Sequence, residues 1–369
     1  MSEKNTKNYV LSKKGRFLKC EFKLPHLTLT TSHINGGMST LLKGFLNHQS
    51  VEGVGHDSQF DKIHGMAKKD YHTEVCAEGG CEPTTYAMMG TAANMQYAVE
   101  KTEIFEEISV TAVVTAGVKG NAARAGDPAK WDEKEGKWKE VNPLSGTINT
   151  IVLVNQPLSP AALSRAVVTM TEAKSAALEE LSIGSKYSSG LATGTGTDQF
   201  CIGSVLQGEQ LKTWSGHHTR LGELMGRAVK SATLEALRWQ NGLEQSYTRH
   251  LFHILGRFGI TEKALKLELE KRTGETAKLL QKNGESIGYD PQVACFAWSL
   301  SILLDKINYG SIPQHIGDEM ITKQCALLVA GLSGNENLFL EGIQKISNSD
   351  SLIEKLTDAL ILGWAGKWA

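Results

Sequence analysis

Apolar residues occupy both pleat faces in Ser109–Ala116 and, apart from Thr147, Asn149 and Thr150, in Thr147–Val154. That pattern predicts two central strands covered on both sides. Phe17–Thr31 alternates and predicts one or two strands broken at Pro25. Apolar spacing of three and four residues in Pro83–Glu100, Pro160–Leu181 and His217–Leu237 predicts helices. Ser159 and Pro160 suit the start of the second helix, and Gly184 suits its end. The expected fold is α+β: a mixed sheet with strands near 17–31, 108–116, 147–155 and 192–206, and helices packed on it. After Arg249 the pattern becomes purely amphipathic, with helices near 261–282, 290–306, 315–332 and two more towards the end. The expected division is a polar, flexible stretch at 1–16, a main domain at 17–248 and an all-helical accessory domain at 249–369.

Several positions break these patterns. The stripe Leu163, Val167, Met170, Lys174, Leu178, Leu181 places a lysine on an apolar helix face, where it must snorkel, pair with an acid or face a site. Glu172 projects from another side of the same helix. Strand alternation at 192–206 sets Thr193, Thr195 and Thr197 on one face and Gly194, Gly196 and Asp198 on the other. Glycine inside a strand marks a bulge or a close backbone approach. Gly36 and Gly37 follow a strand and suit either a turn or a ligand loop. Gly117, Gly120 and Gly126 leave room beside the donors Asn121 and Arg124. His218 opens the stripe Leu221, Met225, Ala228, Ala232, where it is either a core histidine or a group aimed at the cleft of Asp198. Residues 127–143, with Trp131 and Trp138, read as a charged surface hairpin or lid.

Net charge is −1, from 39 basic and 40 acidic residues, so no global field favours nucleic acid or an anionic membrane. The apolar run Val293–Leu304 is too short and too polar to span a bilayer. The N-terminus lacks the apolar core of a signal peptide, and the six scattered cysteines suit reduced thiols, so a cytoplasmic location is expected. His48, His56, Asp57, Asp61, His64, His72, Cys76 and Cys81 cluster in sequence without a zinc-motif spacing, and no metal site is expected. No G-x-G-x-x-G follows a strand, and no P-loop motif is present.

The segments T-A-G-V-K-G-N-A-A-R-A-G-D-P (115–128), G-T-I-N-T (146–150), T-E-A-K (171–174) and G-T-G-T-D (194–198) occur in that order. With S-H-I-N-G-G (32–37) upstream and H-H-T-R-L-G-E-L-M-G (217–226) downstream, they resemble the adenosylcobinamide amidohydrolase family over roughly residues 18–245. The helical tail has no counterpart in that resemblance. The resemblance implies hydrolysis of the amide that joins aminopropanol to the corrin ring, releasing adenosylcobyric acid for cobalamin salvage. It implies a corrinoid substrate whose cobalt belongs to the substrate, and nothing in the sequence calls for a resident cofactor. Whether a divalent metal assists, and whether the chain self-associates, stay open. A flat, amide-edged corrin needs a slot free of side chains and many hydrogen-bonding groups. Gly36, Gly37, Gly117, Gly194 and Gly196, with Asn121, Thr147, Asn149 and the row Thr193, Thr195 and Thr197, supply both. Amide hydrolysis needs an activated nucleophile, a stabilised oxyanion and a protonated amine. Asp198 or Glu172 is available to activate water, Lys174, Asn121 or Asn149 to stabilise the oxyanion, and His218 to protonate the amine. Thr195 or Thr197 as a covalent nucleophile is the variant. The rival readings are a non-catalytic corrinoid carrier, although no D-x-H-x-x-G is present, and a hydrolase of another amide.

Overall fold

The computed structural model describes residues 3–51, 65–129, 131–134, 137–140, 146–208 and 210–367. They divide into two compact units, Met1–Leu243 and Glu244–Ala369. The first unit contains a five-stranded sheet ordered β1 (Lys4–Asn5), β2 (Tyr9–Lys14), β3 (Phe17–Phe22), β6 (Gly44–Gln49) and β7 (Tyr86–Thr91). Its second sheet has six strands, ordered β5 (Gly37–Ser39), β4 (His26–Thr30), β15 (Gln199–Val205), β13 (Ile148–Val154), β9 (Ile108–Ala116) and β8 (Val99–Phe105). Each sheet holds one parallel pair bridged by a helix, as a parallel connection requires. Helix α1 (Lys68–Glu78) lies between β6 and β7, and α2 (Pro160–Glu180) between β13 and β15. Helix α3 (Arg220–Asn241) follows β15. Two short ladders complete the unit: β10 (Ala122–Ala123) with β14 (Gly194–Thr195), and the hairpin β11 (Trp131–Lys134) with β12 (Lys137–Glu140).

The period of two in β13 sorts its residues between two cores. Ile148, Val152 and Val154 pack with Leu163, Met170, Leu221 and Met225 of α2 and α3. Ile151 and Leu153 pack with Leu11, Leu18, Phe45 and Met89 of the five-stranded sheet. Leu46 and Tyr86 on the far side of that sheet meet Val75 and Cys76 of α1. The unit is therefore four layers, helix–sheet–sheet–helix, and its central strands are apolar on both faces because both faces are covered. Burying one of these large side chains contributes ~1.5–3 kcal/mol.

The mixed α+β architecture and the helical C-terminal region match the sequence expectation, with four local differences. Residues 1–16 carry β1 and β2, and Tyr9 and Leu11 are buried there. Pro25 separates two strands that enter different sheets. Pro83–Glu100 is not a helix but β7, a 3₁₀ turn at Met95–Tyr97 and the start of β8. Its methionines face covered surfaces on both sides of a strand, and a fully buried strand and a buried helix look alike in sequence. Helix α2 is capped by Ser159, whose hydroxyl accepts from the Ala162 N–H, but it ends at Glu180 with Ser182 at φ 51°, ahead of Gly184.

The second unit is helical: α4 (Gln245–Thr248), α5 (Leu251–Leu255), α6 (Glu262–Glu270), α7 (Glu275–Gly288), α8 (Pro291–Asn308), α9 (Gln314–Ser333), α10 (Leu338–Ile346) and α11 (Leu352–Gly366). The helix expected at 261–282 is two, divided at Gly274, whose φ of 104° suits glycine. Thr261, Asp290 before Pro291 and a Ser351–Glu354 capping box start three of the helices.

Candidate functional site

A cleft of about 220 Å³ opens where β13 and β15 begin, beneath α2. Thr31, Ile148, Thr150, Met170, Thr171 and Phe200 form its wall, and Lys174, Asp198 and Gln199 complete it. The alternation that buries Asn149 towards the other sheet turns Ile148 and Thr150 towards α2. One helical turn sets Met170, Thr171 and Lys174 on the facing side of that helix.

Lys174 does not snorkel. Its ammonium donates to Asp198 Oδ2 at 2.5 Å, and both side chains are largely buried, 13% and 17% exposed. The Thr195 N–H also donates to Oδ2, at 3.0 Å. Asp198 Oδ1 accepts from the Ile148 N–H at 2.9 Å and from the Thr195 hydroxyl at 2.5 Å. The carboxylate thus meets four donors, one for each lone-pair direction. A turn at Gly196–Thr197 makes this possible. The chain at 192–206 is not one continuous strand. β14 stops at Thr195, the chain turns, and β15 starts at Gln199, so Thr195 folds back onto Asp198 instead of standing on the opposite face. Gly194 is the close approach that its position in the sequence implied. A Cβ there would lie 2.5 Å from Asp198 Oδ2 and 2.8 Å from Lys174 Nζ, so the space belongs to the ion pair.

The remaining residues singled out by sequence fall into four places. Thr147, Asn121, Thr197 and Gly196 brace the turn. The Thr147 hydroxyl donates to the Thr197 carbonyl, the Thr197 hydroxyl and the Asn121 amide donate to the Gly146 carbonyl, and Tyr187 donates to Asn121 Oδ1. Gly196 lies against the Asn121 amide. Asn149 is fully buried between the sheets, where its amide donates to Asn47 Oδ1 and the Gly90 carbonyl, both at 2.9 Å, while Asn47 donates to Thr115. Gly36 ends the loop between β4 and β5, and Gly37 opens β5. A Cβ at Gly36 would lie 2.0 Å from the Ser32 carbonyl oxygen, and Gly37 has φ 82°. Ser32 and Asn35 tie that loop to the β7 side of the unit. Glu172 pairs with His217 at the surface, both about half exposed. His218 is exposed in the turn before α3, whose N-cap is Thr219, and it is not among the residues that line the cleft.

Asn149 thus staples one sheet to the other. Asn149→Leu is expected to leave two buried acceptors without donors, lowering stability by about 1–3 kcal/mol for each. Urea denaturation measures that loss. Unchanged stability with lost turnover would return Asn149 to a ligand role.

Among the described residues, no three His, Cys, Asp or Glu side chains gather as a metal-binding group. His56, Asp57, Asp61 and His64 lie outside those residues. His72 and Cys76, one turn apart on α1, touch at 3.5 Å, and burial pushes the Cys76 thiol up to about 12 and the Cys81 thiol up to about 11, which leaves both protonated and unreactive. No helix among the described residues is long and apolar enough to cross a membrane.

The adenosylcobinamide amidohydrolase family matches residues 2–245 of the chain. The uncharacterized protein MJ1613 of Methanocaldococcus jannaschii is 35% identical over 253 residues, covering 60% of this chain and 94% of that protein. Among solved structures, the PH0078 protein of Pyrococcus horikoshii is similar at 12% identity and a TM-score of 0.30, over 62% of this chain and 83% of that one.

Proposed function

The chain belongs to the adenosylcobinamide amidohydrolase family, and on that premise we propose that it hydrolyses the amide linking aminopropanol to the corrin ring of adenosylcobinamide, leaving adenosylcobyric acid. The observation that carries this reading is the Lys174–Asp198 pair in a small cleft lined also by Ile148, Met170, Phe200 and three threonines. Pockets that enclose drug-sized ligands measure ~300–1,000 Å³. A cleft of about 220 Å³ is too small for a corrin and suits one side-chain arm, with the ring left at its mouth.

In this reading Lys174 directs an N–H at the amide carbonyl and stabilises the oxyanion as water attacks. Asp198 holds that ammonium in place and is also the base. Three of its four donors are fixed: two backbone N–H groups and the paired lysine. The Thr195 hydroxyl alone is a rotor, and when it turns away it frees a lone pair on Oδ1 for a proton of the attacking water. The new C–O bond forms, the C–N bond breaks, and Asp198 passes the same proton to the departing amine. Aminopropanol and the corrinoid carboxylic acid result. The cobalt corrinoid is substrate throughout, and the reading needs no resident cofactor. Catalysis is placed in the first unit and in the cytoplasm, with the helical unit as an accessory.

Incubation with adenosylcobinamide, followed by quantification of free aminopropanol, tests the reading. Release at a rate proportional to enzyme supports it. Tight corrinoid binding without release would make the chain a carrier, and neither binding nor release would leave an amide of another kind.

A further inference from the structure

The side chain of Thr150 is almost wholly enclosed, at 2% exposure, yet it lines the cleft and its hydroxyl has no hydrogen-bond partner among the described residues. The hydroxyl is not sealed off, since Asn149 Oδ1 and Arg165 Nε are the fully buried side-chain atoms without a partner among the described residues; it keeps an opening onto the cleft, where a ligand can reach it. The neighbouring Thr31 hydroxyl is already committed, accepting from the Phe200 N–H at 2.9 Å. Ile148, Met170 and Phe200 are the apolar part of the lining, and the other polar residues there, Thr171 and Gln199, are less enclosed than Thr150. The cleft thus carries a charged pair, one enclosed hydroxyl without a partner in the chain, and three apolar side chains. An aminopropanol amide has the same three parts: a polar carbonyl, a hydroxyl two carbons from the nitrogen, and a methyl.

Resting on the hydrolase reading above, we infer that Thr150 is the specificity residue of the leaving-group pocket. Its hydroxyl pairs with the hydroxyl of the departing amine, while Ile148, Met170 and Phe200 receive the methyl. The cleft therefore selects small β-hydroxyamines over amines of equal size without the hydroxyl.

The test compares two corrinoid amides that differ only in the arm, one made with aminopropanol and one with n-propylamine, by kcat/KM for amine release. The wild-type enzyme is expected to favour the hydroxylated arm by roughly tenfold, the worth of one well-placed hydrogen bond. Thr150→Val should erase that preference, and Thr150→Ser should keep most of it. The melting temperature of Thr150→Val should be unchanged or higher, since the swap removes a hydroxyl that the folded protein does not satisfy. Three results overturn the inference while leaving the hydrolase reading intact: a wild type indifferent to the arm, a Thr150→Val enzyme that keeps the preference, or equal losses on both arms with a fall in melting temperature. A wild type that releases amine from neither amide removes the hydrolase reading and the inference with it.

Discussion

Lys174→Met is expected to lower kcat by ~10²–10³-fold, the typical cost of losing one oxyanion donor, in a protein that still folds. The fold survives because methionine suits the stripe that runs through Met170 and Leu178, both buried against the sheet. The substitution removes one charge-assisted hydrogen bond from Asp198, worth ~1.5–3 kcal/mol. Three donors to that carboxylate remain, and the added apolar contact offsets part of the loss. Stability should therefore move far less than turnover. Corrinoid affinity, followed by the visible absorbance of the ring, should also persist, because the proposed binding mode leaves the ring outside the small cleft. Lys174→Arg is not a conservative control: the planar guanidinium is larger than the ammonium that fits beside Gly194. A clear loss of stability with specific activity retained would make the lysine a structural counter-ion.

Much of this arrangement could be read from the residues. The Ser159–Pro160 start and the three-and-four spacing define the helix that carries Lys174, and that lysine stood out because it broke an apolar stripe. The strands at 108–116 and 148–154 were legible as runs without a helical period. The glycine at 194 signalled a close approach, although not that the approaching groups were Lys174 and Asp198. What could not be read depends on pairing between distant segments. Alternation says that Asn149 and Thr150 face opposite ways, but not which face meets helices and which meets a second sheet. The five-stranded sheet decides that, and it is assembled from β1 to β3, β6 and β7, part of which looked helical or frayed. The turn at Gly196–Thr197 was equally hidden, because a run of alternating Thr and Gly fits an extended strand as well as a reversal. Only its braces, Asn121, Thr147 and Gly146, select the reversal, and they lie far away in sequence. Thr150, the last residue of its motif after Thr147 and Asn149, stood out only as one of three polar positions in the strand.

Asp198→Asn is expected to be more damaging than its near-identical shape suggests. An amide replaces one of the two acceptor oxygens with an NH₂ group, and every direction around Asp198 is already occupied by a donor. If the NH₂ takes the Oδ2 side, it confronts the lysine ammonium and the Thr195 N–H. If it takes the Oδ1 side, the Thr195 hydroxyl can rotate to accept from it, but the Ile148 N–H cannot turn, and Ile148 is buried. The second arrangement is the less costly, and it still leaves one backbone donor unpaired at about 1–3 kcal/mol. Lys174 then loses its counter-charge, and the site loses its base, which costs ~10²–10⁴-fold in rate. Denaturant titration should show the stability loss, and kcat normalised to folded protein should show the loss of turnover. Gly194→Ala offers an independent route to the same state, because its Cβ intrudes between the two charged groups without removing either. It should reproduce the turnover defect with both charges still in place. An Asp198→Asn enzyme that is fully stable and turns over within a few-fold of wild type would mean that the carboxylate neither anchors Lys174 nor moves the proton.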